Sequence, residues 1–186
     1  MYTLPNTLTL LRIGFIPLFV VAFYLPIEAR EQNFWATLVF FIACITDWFD
    51  GYLARKLNQS SPFGAFLDPV ADKIMVAVAI VLIAVDFDTP WVTIPAIIII
   101  SREIVISALR EWMAERGERS TVAVGNIGKF KTAAQMLAIG GLIWQQSQGM
   151  LHLAYGLLYL AATLTLWSMI VYLANAWKTL SAESNK

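Results

Sequence analysis

The stretch Thr46-Asp47-Trp48-Phe49-Asp50-Gly51-Tyr52-Leu53-Ala54-Arg55 closes an apolar run that begins at residue 34. A second stretch, Gly64-Ala65-Phe66-Leu67-Asp68-Pro69-Val70-Ala71-Asp72-Lys73, opens the next apolar run. Each carries two aspartates at helical spacing, Asp47 with Asp50 and Asp68 with Asp72. Carboxylates at bilayer depth cost kilocalories unless they face a cavity or bind something. Four together require a compensating charge, and a divalent cation is the one expected.

Composition makes lipid the expected surroundings. Of 186 residues, 59% are hydrophobic and 14% charged, and the mean hydropathy is +0.66. That balance excludes an ordinary soluble domain and lacks the polarity of a disordered chain. Apolar runs cover residues 8–25, 34–49, 70–85, 91–109, 127–144 and 151–177. With their polar extensions, each approaches the ~17–25 residues needed to cross ~30 Å of hydrocarbon. The expected fold is an all-α membrane protein of six transmembrane helices, one domain over residues 1–186, with an N-terminal interfacial helical segment reaching Pro17. No internal repeat or long linker interrupts it.

The formal net charge is zero, but the charges are unevenly placed. If the N-terminus is cytoplasmic, the connections near 26–33, 86–90 and 145–149 lie outside, and Arg30 is the one basic residue there. Arg55, Lys56, Arg110, Arg116, Arg119, Lys129, Lys131 and Lys178 fall on or near the inner side. The positive-inside rule then puts both termini in the cytoplasm. The first apolar stretch has no basic residue before Arg12 and no clear cleavage site, so a retained span is expected rather than a signal peptide. Cys44 is the single cysteine, which excludes an intramolecular disulfide and suits packing as a small hydrophobe. His152, the single histidine, is expected at the outer interface. Gly140 and Gly141 either allow close helix packing or merely tolerate it.

Asn6, Thr9 and Arg12 follow at three-residue intervals and share a helical face. A polar interfacial face is the favoured expectation for them. Ser61 and Pro62 read as N-cap and first-turn residue of a helix that places Gly64, Asp68 and Asp72 on one stripe, with Pro69 inside it. The other start, with Asp68 as cap, loses Gly64 from the stripe.

At about 100° per residue, Asp47, Asp50, Gly51 and Ala54 cover roughly one third of a helix, with Arg55 at its edge. Two acids beside two very small residues make a cavity lining. Hard oxygen donors from two helices suit Mg²⁺ or Mn²⁺, and no Cys and His set exists for zinc. Two such ions would stabilise attacking and leaving oxygens at phosphorus, Arg55 would hold phosphate oxygens, and one acid could take a proton from a hydroxyl. The constellation points to phosphoryl-group transfer at the membrane face. Loop acids paired with Arg55, Lys56 and Lys73 would explain one pair easily and two pairs poorly.

These residues are similar to the signature D-x2-D-G-x2-A-R-x8-G-x3-D-x3-D of the CDP-alcohol phosphotransferase family. Asp47, Asp50, Gly51, Ala54, Arg55, Gly64, Asp68 and Asp72 meet every fixed position. The resemblance extends to residues 5–12, 63–73, Arg102-Glu103, residues 109–112 and residues 128–132, and so covers nearly the whole chain. It implies a six-helix enzyme of the bacterial inner membrane, commonly a homodimer, with a two-ion Mg²⁺ or Mn²⁺ site open to the cytoplasm. Asp47, Asp50 and Asp68 would be metal ligands, and Asp72 both ligand and general base. Asp50, Gly51, Ala54, Arg55, Ser61 and Gly64 would contact the CDP part of CDP-diacylglycerol, with Asn6 and Thr9 closing over the cytidine.

The resemblance also implies sn-glycerol 3-phosphate as acceptor, and no nucleic-acid partner is expected. A dianionic acceptor needs cations beyond those that hold CDP. Arg102 and Arg110 lie eight apart on one face of the fourth span, and Lys129 and Lys131 open the fifth. Arg102, flanked by isoleucines, needs pairing with Glu103 or an anion. The alternatives are the same chemistry on serine, inositol or inositol phosphate, and an ion-coupled membrane transporter.

Overall fold

The computed structural model describes residues 4–57, 62–115 and 126–183. Among the described residues there are six helices and no strand: α1 Leu4–Phe23, α2 Ala29–Leu57, α3 Pro62–Phe87, α4 Pro90–Glu115, α5 Asn126–Trp144 and α6 Gln148–Glu183. Each apolar run of the sequence falls on one helix, the first ending at Phe23 rather than at residue 25. α3 begins at Pro62, so Gly64, Asp68 and Asp72 share its stripe and Pro69 lies inside it. Ser61 lies outside the described residues.

The connections follow from local chemistry. Pro26 cannot continue a helix, and the Gln32 side-chain amide donates to the Phe23 carbonyl left open at the end of α1. Between α3 and α4, Asp88 adopts a left-handed conformation with φ 42°. The Thr89 carbonyl then accepts from Val92 and Thr93 N–H groups, and Pro90 takes the first-turn position where its missing donor costs nothing.

The chain divides into two compact units. The first comprises Met1–Phe87 and Ile139–Ala154. Here α1 packs on both α2 and α3, and the buried rings of Phe19 and Phe40 meet at 6.0 Å. Small residues set how closely the helices approach. A Cβ at Gly140 would lie 2.5 Å from the Phe41 ring, and one at Gly141 2.8 Å from the Ala154 Cβ. The glycine pair therefore enables close packing rather than tolerating it. At one end of this unit the Arg30 Nε donates to Gln146 Oε1 at 2.8 Å, and Gln145 Nε2 donates to Asp86 Oδ2 at 2.7 Å. Those bonds join the connections that the charge pattern assigned to one side.

The second unit comprises Asp88–Ala138 and Tyr155–Lys186. On α4 the residues Val92, Pro95, Ile99, Arg102, Ile106 and Met113 are buried, a seam that steps by three and four residues to Ile106 and by two turns to Met113, turning one helix stripe inward. Arg102 occupies an inward position of that seam. Other faces of α4 leave Trp91 70% and Ile104 64% exposed, as does α6 for Trp167 and Ile170. Large apolar side chains on outer faces suit lipid rather than water. α4 and Gln148–Ala174 of α6 are long and apolar enough to cross a membrane.

Candidate active site

The first unit gathers the aspartates through α1. Thr9 Oγ1 donates to Asp68 Oδ1, and Arg12 Nη1 pairs with Asp47 Oδ1 at 2.5 Å. Thr9 and Arg12 are each only 1% exposed. The expectation of an interfacial polar face is therefore wrong for these two: their stripe turns inward, because each has an acid to meet. The helical spacing was visible in the sequence, but nothing in it told a partnered polar stripe from a solvated one.

Asp47 and Asp68 lie close enough to repel each other, and Cys44, one turn before Asp47, lies in the field of both Asp47 and Asp72. Acids from α2 and α3 therefore share one neighbourhood. Gly64 is buried, one turn before Asp68 on the same stripe. Asp50, Gly51, Ala54 and Arg55 stand on α2 and Asn6 on α1; their side chains lie outside the description, as does that of Lys129 on α5. Among the described residues no three acidic, thiol or imidazole groups are arranged to hold one ion.

The second unit gathers the basic residues. Glu103 Oε1 accepts from Arg102 Nη1 at 2.9 Å and from Lys131 Nζ at 3.1 Å. The sequence offered Glu103 or an anion as partner for Arg102; Glu103 is one partner, and it serves Lys131 as well. Arg102 Nη2 also reaches Ser168 Oγ at 3.4 Å. The guanidinium carbons of Arg102 and Arg110 each lie 5.9 Å from the Tyr172 ring centre, within cation–π range. Lys131 lies in the field of both arginines. Tyr172 and Ser168 escaped the sequence reading, since both lie in the long apolar run of α6 and neither carries charge. His152 is exposed near the start of α6.

The family model for CDP-alcohol phosphatidyltransferases matches residues 2–173. The chain belongs to the CDP-alcohol phosphatidyltransferase family. Among its relatives in that family is a Haemophilus influenzae protein named CDP-diacylglycerol–glycerol-3-phosphate 3-phosphatidyltransferase, 62% identical over 172 residues that cover 92% of each chain. Proteins of the same name from Shigella flexneri and Escherichia coli are 54% identical over 175 residues, 94% of this chain and 95% of theirs. The paired acids and the basic cluster both lie within the matched residues.

Proposed function

We propose that this CDP-alcohol phosphatidyltransferase moves the phosphatidyl group of CDP-diacylglycerol to sn-glycerol 3-phosphate, giving phosphatidylglycerol phosphate and CMP. The observation that carries the reading is the convergence of Asp47 and Asp68 on Arg12 and Thr9 of α1, in a chain 62% identical to a protein named for that transfer.

The family is generally dependent on a divalent metal, and the donor set here fits one. Asp47 and Asp68 repel each other, so a further cation beside them is favourable, and hard carboxylate oxygens suit Mg²⁺ or Mn²⁺. Asp47, Asp50, Asp68 and Asp72 would hold two such ions. Bound there, they supply charge neutralisation for the diphosphate and for the developing negative charge.

The residues do the rest. Arg55 holds diphosphate oxygens, and Gly51, Ala54 and Gly64 let the donor approach the helix backbones, with Asn6, Thr9 and Ser61 closing on the CDP. Asp72 accepts the proton of the acceptor's C1 hydroxyl. The freed oxygen forms a bond to the phosphorus that carries diacylglycerol, and the bond from that phosphorus to the CMP oxygen breaks, CMP leaving with the electron pair. Arg102, Arg110, Lys129 and Lys131 bind the acceptor's phosphate.

The same proposal places all six helices across a bacterial inner membrane, with both termini and the active site cytoplasmic, in a homodimer. The lengths of α2 and α3 support the spans: 29 and 26 residues reach about 44 and 39 Å. Purified protein given CDP-diacylglycerol, Mg²⁺ and labelled glycerol 3-phosphate should move the label into phosphatidylglycerol phosphate, identified by mass spectrometry. Label that stays entirely water-soluble would overturn the proposal.

A further inference from the structure

In the basic cluster of the second unit, the carboxylate of Glu103 and the ring of Tyr172 each touch two of the cations and have no part in the chemistry above. We propose that both are positioning residues that set acceptor specificity, holding Arg102, Arg110 and Lys131 as one receptor for a phosphomonoester. The proposal rests on the glycerol 3-phosphate reading and adds the parts that make the cations selective.

Three cations near one another repel, and long basic side chains left alone would splay. Glu103 prevents this from one atom: its Oε1 accepts from both Arg102 and Lys131, and these are only 8% and 4% exposed. Tyr172 fixes the other spacing, with its ring the same 5.9 Å from Arg102 and Arg110. The ring is itself held by packing on Met113, next to Leu109 and Trp112. Arg102, tied to Glu103, Ser168 and Tyr172, thus has its guanidinium plane set before any ligand arrives.

That plane has one donor left over. The Nε of Arg102 is buried and meets no acceptor among the described residues. A buried donor without a partner is costly, and an incoming oxygen would relieve the cost. The charges point to the same ligand, because three cations against one carboxylate leave an excess of two, which a phosphomonoester dianion neutralises. Serine, a net-neutral zwitterion, or inositol, which is uncharged, would leave the excess charge uncompensated, and a site built for a dianion discriminates against both.

The test uses the purified full chain and the variants Glu103→Gln, Tyr172→Leu and Tyr172→Phe. Two readouts are taken: KM for each substrate, and binding of inorganic phosphate by calorimetry, which needs no turnover. Loss of the carboxylate charge in Glu103→Gln, or of the cation–π ring in Tyr172→Leu, should raise KM for glycerol 3-phosphate about tenfold and weaken phosphate binding in parallel. KM for CDP-diacylglycerol and the thermal midpoint should barely move. Tyr172→Phe, which keeps the ring, should recover most of what Tyr172→Leu loses.

A lower KM in Glu103→Gln would mean that net charge alone governs binding and would overturn the proposal. Equal changes in both KM values would assign Glu103 and Tyr172 a merely structural role and overturn it too. If Glu103→Gln does not fold, the two Tyr172 variants decide. Wild-type protein that binds phosphate but transfers nothing to glycerol 3-phosphate would reject the function while leaving the cluster's positioning to the calorimetry. Active wild type with unaffected variants would reject this inference alone.

Discussion

Arg12 of α1 and Asp47 of α2 form an ion pair whose two ends differ in surroundings: the arginine side chain is 2% exposed and the aspartate 45%. The buried end cannot easily regain water, whereas the acid keeps a face open to another cation. Arg12 therefore ties the N-terminal helix to the carboxylate helices without closing Asp47 off.

Replacing Arg12 by Gln should lower stability by about 1–2 kcal/mol, below the ~3–5 kcal/mol for a fully buried pair because Asp47 is partly solvated. Added Mg²⁺ should return part of the loss, since either cation neutralises Asp47. Thermal unfolding of the variant with and without Mg²⁺ checks both expectations. An unchanged midpoint would remove Arg12 from the site's support.

Asp72→Asn keeps the size of the side chain and removes the proton acceptor. Turnover should fall by about 10²–10⁴, the usual contribution of a positioned general base, while CDP-diacylglycerol binding stays within a few-fold of wild type. Normal turnover would reject Asp72 as the base, and lost binding would reassign it to holding the donor.

The two glycines of α5 should respond differently to a methyl group. At Gly141 the obstacle is the Ala154 Cβ, which is fixed to the backbone, so Gly141→Ala should cost about 1–3 kcal/mol through overpacking. At Gly140 the obstacle is the tip of the Phe41 ring, so Phe41→Leu should relieve Gly140→Ala and leave Gly141→Ala unrelieved. A double-mutant cycle on thermal midpoints measures the coupling; additive effects at Gly140 and Phe41 would contradict the packing.

Much of this was legible in the residues. The helices follow the apolar runs, and Pro62 with Gly64, Asp68 and Asp72 marks the start and the stripe of α3, because a proline fits a first turn and carboxylates four apart share a face. The seam through Val92, Ile99, Ile106 and Met113 that turns Arg102 inward came from the structure; the sequence by itself placed only Arg102 and Arg110 on a shared face. What spacing could not give was pairing across helices. Thr9 and Arg12 look alike as an interfacial stripe or as partners of Asp68 and Asp47 until α1 is seen packed on α2 and α3. Tyr172 is one aromatic among many on an apolar helix, and its place between two arginines depends on tertiary structure alone.

The central claim is that the aspartate site works on CDP-diacylglycerol and that the basic cluster selects a phosphorylated alcohol. The most direct measurement is CMP release by purified protein with CDP-diacylglycerol and Mg²⁺, given glycerol 3-phosphate, serine, inositol or inositol phosphate in turn, beside a chelated control. Release with glycerol 3-phosphate alone, abolished by chelation, is the predicted result. Release driven by serine, inositol or inositol phosphate in place of glycerol 3-phosphate, or release that survives chelation, would contradict the account.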